Sequence, residues 1–269
     1  MNKLEQQHLP IGVFDSGVGG LSVLKVLKEQ FPHEHFIYIG DNKNNPVGNR
    51  PTEEIENIAS RIAERLDREP VKMLVIACNT FTVVAIDAIR NRVHCPVIGV
   101  SQGMQTTTTA SHARRVAVMA TVATINSHIH KHVALEYDPE IVVWEQPCPE
   151  LAGLIEGGHI DDEPVLEALR EYLAPIMAEK IDAVVLGCTH FPFVQTAMES
   201  ISKDSIHYID PAYETSDVVR RTLESGDLLN PSTEAGTIRL WFTQETDLAA
   251  TLCQRFMKPE DVQVKVVTL

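Results

Sequence analysis

The chain is poor in several things at once, and each shortage excludes a class of protein. No uninterrupted apolar run approaches the ~18–20 residues of a membrane helix, and the opening "MNKLEQQHLP" has no apolar secretion core. Basic residues are scarce: 23 Lys and Arg against 37 Asp and Glu leave a formal charge of −14. That disfavours non-specific binding to nucleic acid or to an anionic membrane, which needs clustered cations. No CxxC pair occurs, and the five cysteines (78, 95, 148, 188, 253) are odd in number and irregularly spaced. Neither a zinc site nor a disulfide framework is expected, so the thiols are inert core groups or catalytic ones. No Pro-, Gly- or Ser-rich linker divides the 269 residues. A soluble, cytoplasmic, globular chain is the expectation.

What is present is alternation. Buried-strand patterns at 11–17, 35–41, 71–79, 95–100, 114–121, 181–192 and 206–215 are separated by amphipathic helical patterns, among them 21–31, 52–66, 82–93 and 164–180. Thr52 is the expected cap of its helix. A strand and short helix share 143–158, and the tail reads helix 214–224, strand 236–243, helix near 245–257 and a last strand. The polar "TTTTASH" (106–112) reads as a helix start. This pattern predicts an α/β fold with mainly parallel sheets covered on both faces. Such sheets bind ligands beyond the carboxyl ends of their strands.

Two cysteines fall at such ends. "MLVIACNTFT" (73–82) and "VVLGCTHFP" (184–192) each run from an apolar strand into small residue, cysteine, polar residue. A helix beginning near Thr80 would aim its N-terminal N–H groups at Cys78 and lower the thiol pKa. His190 either polarises Cys188 or caps the next helix. "FDSGVGG" (14–20) is either a tight turn using glycines for unusual backbone angles, or a site where Asp15 and Ser16 bind an ammonium or orient a base. Cys95, Cys148 and Cys253 lack matching context and read as structural. Two thiols from two similar halves suit removal of a proton from one face of a carbon and its return to the other. One acts as thiolate and one as thiol, with roles exchanged in reverse.

Together "FDSGVGGLSVL", "ACNTFT", "PVIGV", "LGCTHFP" and "YIDPAYET", in register from about residue 11 to 220, resemble the glutamate racemases, cofactor-independent enzymes of the aspartate/glutamate racemase superfamily. The resemblance implies two pseudo-symmetric lobes, residues 1–99 with 213–269 and residues 100–212, with the active site in the cleft between them. It makes Cys78 and Cys188 the acid/base residues for the D- and L-faces, with Asp15, His190 and Glu156 assisting. Asp15, Ser16, Val47, Gly48, Asn79, Thr80, Thr121, Thr189 and His190 would form the substrate shell. It implies glutamate as substrate, no metal or other cofactor, and a homodimer. D-glutamate for peptidoglycan would be the product.

Four departures touch that shell. Val47 stands where the family has tyrosine in Pro-Tyr-Gly, Phe81 follows "ACNT", "ATVAT" (120–124) replaces Gly-Thr-x-Gly-Thr, and "SQGM" lacks a proline. Aspartate or another amino acid is therefore the alternative substrate. An added role in binding DNA gyrase, known of some members of the family resembled, is the alternative of another class.

Overall fold

The computed structural model describes residues 2–244, 247–256 and 262–269. After a short helix α1 (Lys3–Gln7), the chain runs β1 (Ile11–Asp15), α2 (Leu21–Gln30), β2 (Phe36–Gly40), α3 (Thr52–Asp67), β3 (Met73–Ile76), α4 (Asn79–Arg90) and β4 (Val97–Gly99). It continues α5 (Met104–Ala110), β5 (Arg115–Ala120), α6 (Val122–Asn126), α7 (Ile129–Tyr137), β6 (Val142–Pro147), α8 (Leu151–Glu156), α9 (Glu163–Ala178) and β7 (Ala183–Gly187). A 3₁₀ turn (Phe191–Val194), α10 (Gln195–Ser202), β8 (His207–Ile209), α11 (Ala212–Ser225), β9 (Ile238–Phe242), α12 (Asp247–Phe256) and β10 (Val262–Val266) complete it.

The strands form two sheets, in the orders β10-β9-β2-β1-β3-β4 and β6-β5-β7-β8. Every pairing is parallel, and the central registers bring Asp15 beside Gly40 and Ala120 beside Gly187 at the carboxyl ends. Successive strand residues enter opposite cores. Met73 and Val75 join Leu24 and Leu27 of α2, while Leu74 and Ile76 join Ile55, Ile62 and Leu66 of α3. In the second sheet Val184 and Leu186 meet α8, α9 and α10, whereas Ala183 and Val185 join Met104 of α5 and Ala134 of α7. This is why the central strands read as unbroken apolar runs rather than alternating ones.

The chain passes between the sheets twice, at 100–103 and at 210–211, and the two passages are tied together. Ser101 N–H donates to Thr215 Oγ1 and Ser101 Oγ to Glu214 Oε2, each at 2.8 Å, while Glu214 Oε1 accepts from Thr106 N–H at 2.8 Å. Among the described residues no helix is long and apolar enough to cross a membrane.

Some local expectations change. Pro51, not Thr52, occupies the cap of α3, with no side-chain hydrogen bond there. The threonines 106–109 lie within α5, which begins two residues before them at Met104. Thr107, Thr108 and Thr109 each satisfy their hydroxyls on the carbonyl four residues back, at 2.7–2.8 Å. Strand structure in 206–215 stops at Ile209, because Asp210 and Pro211 initiate α11.

Candidate active site

The two cysteines stand where the two sheets face each other. Cys78 is the N-cap of α4, extended at φ −122°, and its sulfur accepts the Phe81 N–H at 3.5 Å. Ser16 Oγ is 3.7 Å from the same sulfur. The helix starts at Asn79, next to the expected start near Thr80, and its cap is the thiol itself. The expected lowering of the thiol pKa is outweighed. Burial pushes Cys78 up, Asp15 and Cys188 add to the rise, and the Phe81 N–H and Ser16 only partly oppose it. Unliganded, Cys78 keeps its proton.

Cys188 follows β7, with His190 Nδ1 at 3.7 Å from its sulfur. His190 makes no side-chain cap to the 3₁₀ turn after it. Its Nε2–H instead donates to Glu156 Oε2 at 2.6 Å. That bond orients the ring and turns Nδ1 toward the thiol. Burial alone would lower the imidazole, but the Cys188 and Glu156 partners overcome it and hold His190 well above the usual histidine range. Glu156 Oε2 also accepts the Val18 N–H at 3.2 Å, so this carboxylate spans the two sheets' loops.

Asp15 is fully buried beside Cys78. Its Oδ1 accepts the Gly17 N–H at 2.8 Å and its Oδ2 the Thr189 hydroxyl at 2.9 Å. Burial pushes its carboxyl up to about 6, against the lowering by His190 and by those two hydrogen bonds. The glycines of "FDSGVGG" serve space, not backbone angle, since none of Gly17, Gly19 and Gly20 has positive φ. A Cβ on Gly19 would lie 2.5 Å from His190 Nδ1 and one on Gly17 2.7 Å from both Glu156 oxygens.

A cavity is lined by Ser16, Val47, Gly48, Asn79, Thr80, Thr121, Thr189 and His190 together with both cysteines. Asp15 and Glu156 stand behind this lining rather than in it. Thr80 Oγ1 lies 2.9 Å from Thr121 Oγ1, and Thr124 Oγ1 completes the cluster at 3.4 and 3.1 Å. The rim is laced across: Ala123 N–H donates to Gly48 O at 3.1 Å and Asn49 Nδ2 to Pro149 O at 3.3 Å. Phe81 is not in the lining. Its ring is fully buried against Phe14, with centroids 6.3 Å apart.

Sequence reading missed Asn45, Pro46, Asn49, Pro149 and Ala152 in the lining, and Thr124 in the hydroxyl cluster. The asparagines flank Val47 and Gly48 in a loop beyond a strand's carboxyl end, which is the signal that could have found them. Cys148 is buried in the second sheet's core, which raises its thiol well above the usual range. Cys95, half-buried, is pushed up to about 11 by burial. The side chain of Cys253 lies outside the described residues. Among the described residues no group of three or more His, Cys, Asp or Glu is placed to hold a metal ion.

The arrangement holds two thiols at one cavity, each with its own polar assistant, amid neutral polar groups. Such a site can move a proton on each face of a small molecule. Comparison with known proteins agrees. The model of the Asp/Glu/hydantoin racemase family matches residues 11–215. A glutamate racemase of Clostridium acetobutylicum is 37% identical over 249 residues, covering 92% of this chain and 97% of that one. One of Herpetosiphon aurantiacus is 37% identical over 234 residues, 87% of this chain and 92% of the relative. Glutamate racemase isoform RacE1 of Bacillus anthracis superposes with TM-score 0.86 at 30% identity, over 98% of each chain. The enzyme of Francisella tularensis, solved in complex with D-glutamate, also gives 0.86, at 31% identity over 97% of this chain and 98% of that chain. With the motifs, the parallel sheets and the paired thiols in agreement, the chain belongs to the Asp/Glu/hydantoin racemase family, among its glutamate racemases.

Proposed function

We propose that the enzyme interconverts L- and D-glutamate by proton transfer at Cα, with Cys78 serving the D-face and Cys188 the L-face. The observation that carries this is the meeting of the two thiols at one cavity, each at the carboxyl end of a central parallel strand. The two sides differ in their helpers. His190, oriented by Glu156, takes up or releases a proton beside Cys188. Cys78 has Ser16 at its sulfur, the Asp15 charge nearby and the first turn of α4 beneath it. Burial favours the thiol form of Cys78, so the resting site has an acid on that side, and His190, held well above the usual histidine range, favours positive charge beside Cys188.

A carbanion at Cα is high in energy, and stabilising it falls to preorganised dipoles in a site shielded from water. Asn79, Thr80 and Thr121 offer neutral polar groups suited to a substrate with two carboxylates, although the whole chain is acidic, while the Thr189 hydroxyl is given to Asp15. Phe81, packed in the core, gives no reason to move the substrate away from glutamate. The product would be D-glutamate for peptidoglycan.

Division into lobes at 1–99 with 213–269 and at 100–212 is proposed on the membership of the two sheets. A homodimer working in the cytoplasm is proposed on the family resemblance alone. Sedimentation as a monomer at assay concentrations would remove the dimer, and recovery outside the cytoplasmic fraction the location.

The test is racemisation followed by circular dichroism in both directions. Cys78→Ala and Cys188→Ala are each expected to abolish it. Near-wild-type turnover by either variant would end the two-thiol assignment. Aspartate turning over tenfold faster than glutamate would keep the chemistry and replace the substrate.

A further inference from the structure

The loop between β2 and α3 sets an asparagine in the cavity wall with a hydrogen bond unmade. Asn45 lines the cavity with Pro46, Val47 and Gly48, and its Nδ2 is buried with no hydrogen-bond partner. Its neighbours in the loop are satisfied elsewhere. Asn44 Nδ2 donates to Asp41 Oδ2 at 2.7 Å, and Asn49 Nδ2 to Pro149 O at 3.3 Å. Val47 contributes only methyl groups to the same wall. A buried donor left unmade is costly, and the cost disappears when a ligand supplies an acceptor.

We propose that Asn45 is a substrate-binding and specificity-determining residue, its Nδ2–H donating to a carboxylate oxygen of the bound amino acid. The position agrees with this. A Cβ built on Gly17 would sit 2.6 Å from Asn45 Nδ2 and 2.7 Å from both Glu156 oxygens, so the amide is on the wall beside the Glu156–His190 pair. Glu156 Oε2 is already taken by His190 Nε2 and the Val18 N–H, and Asn45 makes no hydrogen bond to it. The amide is neutral, so it adds a donor there without drawing on the charge balance that holds His190 protonated. A site with a donor aimed at a carboxylate rejects analogues lacking that group, because the donor is then left unpaired.

The inference rests on the racemase reading, and one experiment separates the two. Wild type, Asn45→Ala and Asn45→Asp are compared in both directions for kcat and KM with glutamate, with melting curves to verify folding. Inhibition by glutarate and by butyrate is measured alongside. The expected result is a KM raised about tenfold in Asn45→Ala with kcat within about twofold, as loss of one hydrogen bond to a charged group dictates. Asn45→Asp, nearly isosteric but placing carboxylate against carboxylate, should lose more. Weaker glutarate inhibition with unchanged butyrate inhibition assigns the contact to the distal carboxylate, and weakening of both to the carboxylate they share. An unchanged KM in folded Asn45→Ala overturns the proposal. A fall in kcat with a shifted pH profile and unmoved KM also overturns it, since Asn45 would then act through Glu156. Wild type inactive on glutamate fails the racemase reading instead.

Discussion

His130, on α7 and far in sequence from either thiol, sets a pH-dependent term in stability that one substitution should expose. Its side chain is 2% exposed, Nε2 has no partner, and burial alone pushes the imidazole down to about 4. In the unfolded chain the same group titrates near 6.5. The unfolded state therefore binds the proton first as pH falls. The stability associated with neutral His130 is complete above pH 6.5 and is lost progressively toward pH 4. Going from pH 7.5 to 5.0 should remove about 2 kcal/mol by this route. Asp15 works in the opposite sense over the same interval. With its carboxyl raised to about 6, the fold binds that proton before the unfolded chain does, returning roughly 1 kcal/mol as pH falls. These two contributions oppose each other.

His130→Leu, of similar volume and without a polar atom, removes only the histidine's share. Urea unfolding followed by circular dichroism, at pH 7.5 and pH 5.0, should show the variant gaining on wild type by about 2 kcal/mol between the two conditions. The offset at pH 7.5 reflects packing and the relieved Nε2, and does not enter that difference. A stability gap unchanged within about 0.5 kcal/mol between the two pH values would refute the reasoning.

Two further outcomes concern the chemistry. Cys78→Ser and Cys188→Ser should each lower kcat unequally in the two directions, because a hydroxyl is a much weaker acid than a thiol and each serine replaces the acid in only one direction; an equal fall of kcat in both directions would count against the assignment of faces. Glu156→Gln keeps the shape but removes a group that raises His190. The kcat/KM profile, which is the same in both directions because the equilibrium constant of a racemisation is unity, should then move to lower pH, while a profile coincident with wild type would separate Glu156 from the proton path.

Much of this was readable from the chain. Apolar runs such as "MLVIA" and "VVLG" fix central parallel strands because both their faces are buried, and residues at their ends are placed by that fact alone. Cys78, Cys188 and the loop carrying Asp15 were legible for that reason. Helix α7 was not read at all, since its short pattern gives little periodicity to work with. The glycines at 17 and 19 were legible as glycines but not for their reason, which is the approach of Glu156 and His190 from more than 130 residues away. Thr52 was misread as a cap because proline at the preceding position fixes an extended entry that needs no side-chain bond. Nor could spacing show that Phe81 turns to the core, because at a helix start one residue decides between core and cleft. Asn45 and Thr124 required the three-dimensional cavity.

The paired passages at 100–103 and 210–211, braced through Glu214, have a consequence for motion. With the backbone passages as the only ties, two bodies joined at two neighbouring points keep one rigid-body freedom, rotation about the line through those points. Opening must also break the hydrogen bonds that cross the cleft, Ala123 to Gly48, Asn49 to Pro149, Val18 to Glu156, Ser22 to Thr189 and Thr189 to Asp15. Any opening that admits an amino acid to the cavity while both passages hold must be that rotation, the swing of a door on two pins. Displacement then grows with distance from the axis, so a small angle frees the far rim while the thiols return to the same separation at every closure. The brace makes repeatability a property of the backbone path rather than of the cleft.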